Sequence, residues 1–95
     1  MPVQRDTTYK EIVANGTYLL KTGAGFLNRI VVNAPGGGSI QIADALTNVA
    51  PYIAGATAFA LPAAGSTLNY QVNYYTGLTI VITGMTSGSI TVSFG

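Results

Sequence analysis

Residues 67–75 read Thr-Leu-Asn-Tyr-Gln-Val-Asn-Tyr-Tyr, and their alternation decides the fold class. Leu68, Tyr70, Val72 and Tyr74 fall on one side of an extended chain, with Asn69, Gln71, Asn73 and Tyr75 on the other. That is the period of two expected of a strand with one buried face. A helix would scatter the same residues around its circumference and bury no stripe. Tyr70 and Tyr74 alternate with Leu68 and Val72, which assigns all four to the core or to an oligomer interface rather than to an open aromatic platform.

The same period recurs outward in both directions. Toward the C-terminus, residues 77–83 (GLTIVIT) and 89–94 (SITVSF) flank Gly84-Met85-Thr86-Ser87-Gly88, which predicts a hairpin. Toward the N-terminus, residues 26–33 (FLNRIVVN) set Phe26, Asn28, Ile30 and Val32 against Leu27, Arg29, Val31 and Asn33, the pattern of a central strand with one mostly apolar face. A glycine-rich break at 34–38 then leads into 39–43 (SIQIA), giving a second expected hairpin. Asn15-Gly16, a strong turn signal, divides 8–14 from 17–22 and predicts another. Between 44 and 66 the pattern weakens. Asp44 can cap and Pro51 stops any helix, so 44–52 reads as irregular or a short helical turn. The Ala-rich 53–61 suits helix or strand, and 62–66 is a loop.

Short strands punctuated by turns at intervals of about 8 to 12 residues point to a sandwich or barrel. The expected fold is therefore all-β, an antiparallel β-sandwich of about eight strands. Ninety-five residues fit one domain, read here as a polar N-terminal arm over 1–8 and a single sandwich over 9–95.

Composition narrows the function. Charged residues make up 7% of the chain, against about 25% in ordinary soluble domains. All seven (Arg5, Asp6, Lys10, Glu11, Lys21, Arg29, Asp44) precede residue 45. Four Lys and Arg cannot line a phosphate backbone, so no nucleic-acid partner is expected. Without His or Cys, the commonest general base, the commonest metal ligand and all thiolate chemistry are missing. The three carboxylates are scattered, and no Lys or helix pattern follows Gly36-Gly37-Gly38 to make a phosphate loop. No enzyme, cofactor or metal is expected. The most apolar window, 49–65, is cut by Pro51 and Pro62, well short of the roughly 20 residues that span a membrane. No apolar stretch follows Arg5 to make a secretory leader, so synthesis in a cytoplasm is expected. The uncharged half from residue 45 onward has two readings: Thr, Ser, Asn and Gln keep it soluble, or it is buried against other chains.

The succession Asn15-Gly16-Thr17-Tyr18-Leu19, then 25–33 (GFLNRIVVN), then 37–44 (GGSIQIAD), then 77–84 (GLTIVITG) resembles small virion proteins of tailed bacteriophages. These are Cys-free, jelly-roll or related β-sandwich proteins that decorate or cement the capsid, often as trimers on its outer surface. The resemblance runs over most of the chain from Asn15 onward and carries over no catalytic residues. It implies a jelly-roll-like sandwich, made in the bacterial host cytoplasm, that stabilises the outer surface of a phage capsid by bridging subunits. The implied partners are the major capsid protein and further copies of the chain, as a homotrimer. Arg5, Asp6, Lys10 and Glu11 form the mixed polar set expected to touch the shell. Leu68, Tyr70, Val72 and Tyr74 would hold the fold or the trimer. The alternative is a carbohydrate- or receptor-binding module of a phage head or tail fibre.

Overall fold

The computed structural model describes residues 8–34, 37–86 and 88–95. The expected arm, including Arg5 and Asp6, lies outside the described residues except for Thr8, which opens the first strand. Eight strands are present among the described residues: β1 (Thr8–Ile12), β2 (Gly16–Thr22), β3 (Gly25–Ala34), β4 (Ser39–Ala43), β5 (Tyr52–Ala60), β6 (Thr67–Tyr74), β7 (Gly77–Thr83) and β8 (Ser89–Phe94). No helix long and apolar enough to cross a membrane occurs among those residues.

The strands form two antiparallel sheets, ordered β1-β8-β3-β6 and β2-β7-β4-β5. The first strand pairs with the last, the second with the seventh, the third with the sixth and the fourth with the fifth. The chain is thus one long antiparallel ribbon with its tip between β4 and β5, rolled so that the β3–β8 and β4–β7 ladders close it. This is the jelly roll.

That wrapping corrects all three expected hairpins. β1 and β2, β3 and β4, and β7 and β8 lie in opposite sheets in every case. A turn signal fixes where the chain reverses, and it leaves open whether the returning strand lies beside its predecessor or across the core from it. Here Ile12 packs beside Ile90 in the first sheet while Tyr18 lies beside Ile80 in the second. The apolar faces meet through the core instead of along one ladder. Among the described strands, the one consecutive pair that does hydrogen-bond is β4–β5, across the segment with the weakest pattern.

The facing of β3 is corrected as well. Leu27, Ile30 and Val32 are buried, whereas Phe26 and Asn28 are half-exposed. The ladder to β8 shifts between Leu27 and Arg29, so Asn28 is an extra residue that flips the phase of the strand. On β6 the period holds throughout, and Tyr74 is fully buried with its hydroxyl donating to the Gly95 carbonyl at 2.8 Å.

Gly25 lies beneath that contact. A Cβ on it would overlap both the Gly95 carbonyl oxygen and the Tyr74 phenol, while the neighbouring Phe26 exchanges two backbone hydrogen bonds with Gly95. Gly25→Ala must displace the end of β8 or the Tyr74 ring, and should destabilise the domain by about 1–3 kcal/mol, the usual cost of overpacking. Chemical denaturation of the two proteins checks this.

Candidate functional site

The outer face of the first sheet is open, and register assembles its residues from strands far apart in sequence. Tyr9 lies opposite Ser93, Ser93 opposite Arg29, and Arg29 opposite Asn69. The next row runs Glu11, Thr91, Val31, Thr67. Tyr9, Glu11, Arg29, Asn69 and Thr67 are exposed. Ile90, Val92 and Phe94 turn the other side of β8 into the core, which commits Thr91 and Ser93 to this outer face.

A hydrogen-bonded chain braces part of the face. The Asn33 amide donates to the Thr91 hydroxyl at 2.6 Å and to the Ser89 hydroxyl at 3.2 Å. Ser89 donates in turn to Glu11 Oε2 at 2.6 Å. Glu11 is thereby held against the sheet, whereas Lys10, opposite Val92, projects from the free edge of β1. Of the four residues expected to touch a shell, Lys10 and Glu11 are both exposed on this edge strand, and Arg5 and Asp6 lie outside the described residues. Arg29, Asn33 and Tyr9 join Glu11 here. The signal that could have found them is the strand register, which depends on knowing that β1, β8 and β3 are neighbours.

The second sheet is covered on its outer face over β4 and β7, while Thr17 and Leu19 of β2 stay exposed. The Thr79 hydroxyl, fully buried, donates to the Ala45 carbonyl at 2.8 Å. Asn48 reaches Gln41 and receives the Tyr52 hydroxyl at 2.8 Å. Residues 44–51 therefore lie against this sheet. Leu68, Tyr70, Val72 and Tyr74 all turn toward the core; Tyr74 is buried, and the other three are half-buried because β6 is an edge strand. Burial pushes the Tyr70 and Tyr74 phenols above their ordinary value.

Asp44 is the buried charge among the described residues. Its Oδ1 accepts N–H groups from Tyr75 at 2.9 Å, Thr76 at 2.8 Å and Gly77 at 3.3 Å, and Oδ2 accepts from Tyr75 at 3.0 Å. Burial by itself would push this carboxyl up, but the donors from Thr76, Tyr75 and Gly77 outweigh it and hold the group below its ordinary value. Asp44 does cap, as its residue type suggests, but what it caps is the β6–β7 turn and not a helix. No group of three or more His, Cys, Asp or Glu comes together among the described residues. The open face presents hydroxyls, amides, one guanidinium, one carboxylate and one phenol, groups that can hydrogen-bond and stack against a partner. Compared with known proteins, the chain matches no family model, no curated protein and no solved structure.

Two expectations follow. Because the Asp44 carboxyl is depressed in the folded state, its contribution is complete above the ordinary carboxyl value of about 3.9 and is lost as pH falls through the lowered one. Asp44→Asn should cost on the order of 2–4 kcal/mol at neutral pH by setting an amide against converging donors. It should also flatten the acid limb of stability below about pH 4, which denaturant melts at pH 7 and pH 3 will show. Glu11→Ala with Asn33→Ala removes both partners of the buried Ser89 hydroxyl and should cost on the order of 1–2 kcal/mol, read as a lowered midpoint in a thermal melt.

Proposed function

We propose that this protein is a virion structural protein that decorates a bacteriophage capsid and stabilises it by bridging capsid subunits, without enzymatic chemistry and as a homotrimer. The observation that carries the reading is the open polar face of the first sheet, edged by Tyr9 and Glu11 and crossed by Arg29, with Lys10 exposed at the same strand edge on the other side of β1. The jelly-roll wrapping and the likeness of the strand and turn sequences to capsid-decorating proteins support the same reading.

Area sets the mechanism. Four strands about 4.8 Å apart and roughly seven residues long offer on the order of 400 Å², half of the ~800 Å² per partner of a standard interface. One copy on one subunit binds weakly. An oligomer that engages several subunits at once converts those weak contacts into avidity. Binding the assembled shell in preference to free subunits then stabilises the shell by mass action.

A second reading, a carbohydrate- or receptor-binding module of a head or tail fibre, draws on the same face: Tyr9 is 73% exposed at the end of a row of hydroxyl, guanidinium and amide groups, a combination suited to stacking and hydrogen-bonding a sugar.

Adding purified protein to capsids that lack it should give new density on the shell and raise the temperature at which capsids break open. Arg29→Ala should weaken that binding, and added salt should weaken wild-type binding in the same direction. Unchanged capsid melting without added density rejects the proposal, and binding on a glycan array promotes the second reading.

A further inference from the structure

We propose that copies of this chain meet through the narrow side of the sandwich formed by the edge strands β5 and β6. The strand orders place these two edges together, on the side opposite β1 and β2, and the six-residue loop 61–66 joins them. The core is least well closed here. Ile53, Phe59, Leu61, Leu68, Tyr70 and Val72 pack against the central cluster yet remain only partly buried. The opposite side carries Lys10, Glu11 and Lys21, while β5 and β6 carry no charged residue at all.

The occupant follows from charge and area. A charged partner would find no counterpart on this side and would lose solvation for nothing. The matching uncharged, partly apolar surface is the same side of further copies, which a closed cyclic assembly gathers around its symmetry axis. β5 is bulged, so that its ends lie opposite Ala43 and Ser39 and only about 15 Å apart, while the eight residues of β6 run about 25 Å; the shortest dimension of the molecule is 17 Å. The side thus offers on the order of 400 Å² per copy, or ~800 Å² for a pair, the size of a weak interface that forms at high concentration.

Side chains, and not a continuing ladder, make this contact. In β5, the four residues between Ala54 and Phe59 oppose Gln41 of β4 alone, and the Gln41 amide donates to the Gly55 carbonyl at 3.1 Å where strand pairing is interrupted. In β6, Gln71 has φ 51°, and the ladder to β3 shifts beside it. Both edges are bent out of the straight form that open-ended strand addition needs, so the assembly closes instead of growing into fibres.

This concerns how copies meet one another, so it is tested on purified protein and can fail while shell binding holds. Light scattering on wild type at tens of micromolar, the order at which a weak interface is occupied, should give a multiple of 9.8 kDa. Thr57→Glu with Gln71→Glu places like charges on exposed positions of this side and should return the mass to that of one chain with unchanged circular dichroism. The chain has no cysteine, so Ala58→Cys, also exposed, should cross-link copies through a short bis-maleimide. Val13→Cys, in the β1–β2 turn away from this side, should not. A monomeric wild type overturns the proposal. So does an oligomer whose folded charged variant keeps its mass, or one in which Ala58→Cys fails to cross-link; if the charged variant does not fold, the cysteine pair decides.

Discussion

The Asp44 carboxylate gathers the backbone N–H groups of Tyr75, Thr76 and Gly77, and the crossover from β6 in one sheet to β7 in the other depends on it. Such a crossover leaves donors that neither ladder can satisfy, and burying them unpaired would cost more than a typical hydrogen bond returns. Asp44 sits at the end of β4, and β4 pairs with β7, so the residue that holds the crossover belongs to the sheet the chain is entering. The Gly23 N–H donates to the Thr76 carbonyl, and the Asp44 N–H to the Pro51 carbonyl. Three connections, 23–24, 44–51 and 75–76, become one hydrogen-bonded end. At the other end a neutral side chain does similar work: Asn15 accepts from the Met85 N–H at 2.7 Å and donates to the Met85 carbonyl at 3.0 Å, tying the β1–β2 turn to the β7–β8 loop.

Where the sequence was legible, it was so through period and composition. The alternation over 67–75 placed Leu68, Tyr70, Val72 and Tyr74 on the core side of β6, because one buried face is a local property of a strand. Sheet membership is not local. Asn15-Gly16 marks a reversal correctly, yet only the distant match of Ile12 with Ile90 and of Tyr18 with Ile80 decides that the reversal crosses the core. The bulge at Asn28 was hidden for a similar reason, since FLNRIVVN alternates equally well in either phase until β8 is laid beside it. The open face was half legible: Glu11 was visible within a polar set, but its neighbour Lys10 falls on the other side of β1, and Arg29, Asn33 and Thr91 join Glu11 only through pairing. The reach of Asp44 to residues more than thirty positions away leaves no sequence pattern at all.

Every edge of the sandwich is blunted, and the means differ by side. β1 is five residues long and carries Lys10 and Glu11, while β2 carries Lys21 and a register break after Leu19. On the other side β5 bulges and β6 bends at Gln71. Charge and backbone irregularity are alternative protections against strand addition. The difference between them matters for what else the edge can do. A charged edge repels an apolar neighbour, whereas a bent but neutral edge blocks the ladder and still permits side-chain packing. The chain thus keeps its charge away from the one side where the core is thinly covered.

The same economy governs the open face. Its polar groups are mostly neutral, and those at its centre are committed to one another, Asn33 to Thr91 and Ser89, and Ser89 to Glu11. A face of this kind loses little solvation when covered, because donors and acceptors that already have partners do not go unsatisfied on contact. It also gains little from any single contact, because an isolated exposed charge such as Arg29 contributes at most about 1 kcal/mol in water. Strength must then come from repetition. Under the proposed role, the neutral face sets a weak, well-ordered contact to the shell, and the uncharged narrow side sets how many such faces act together.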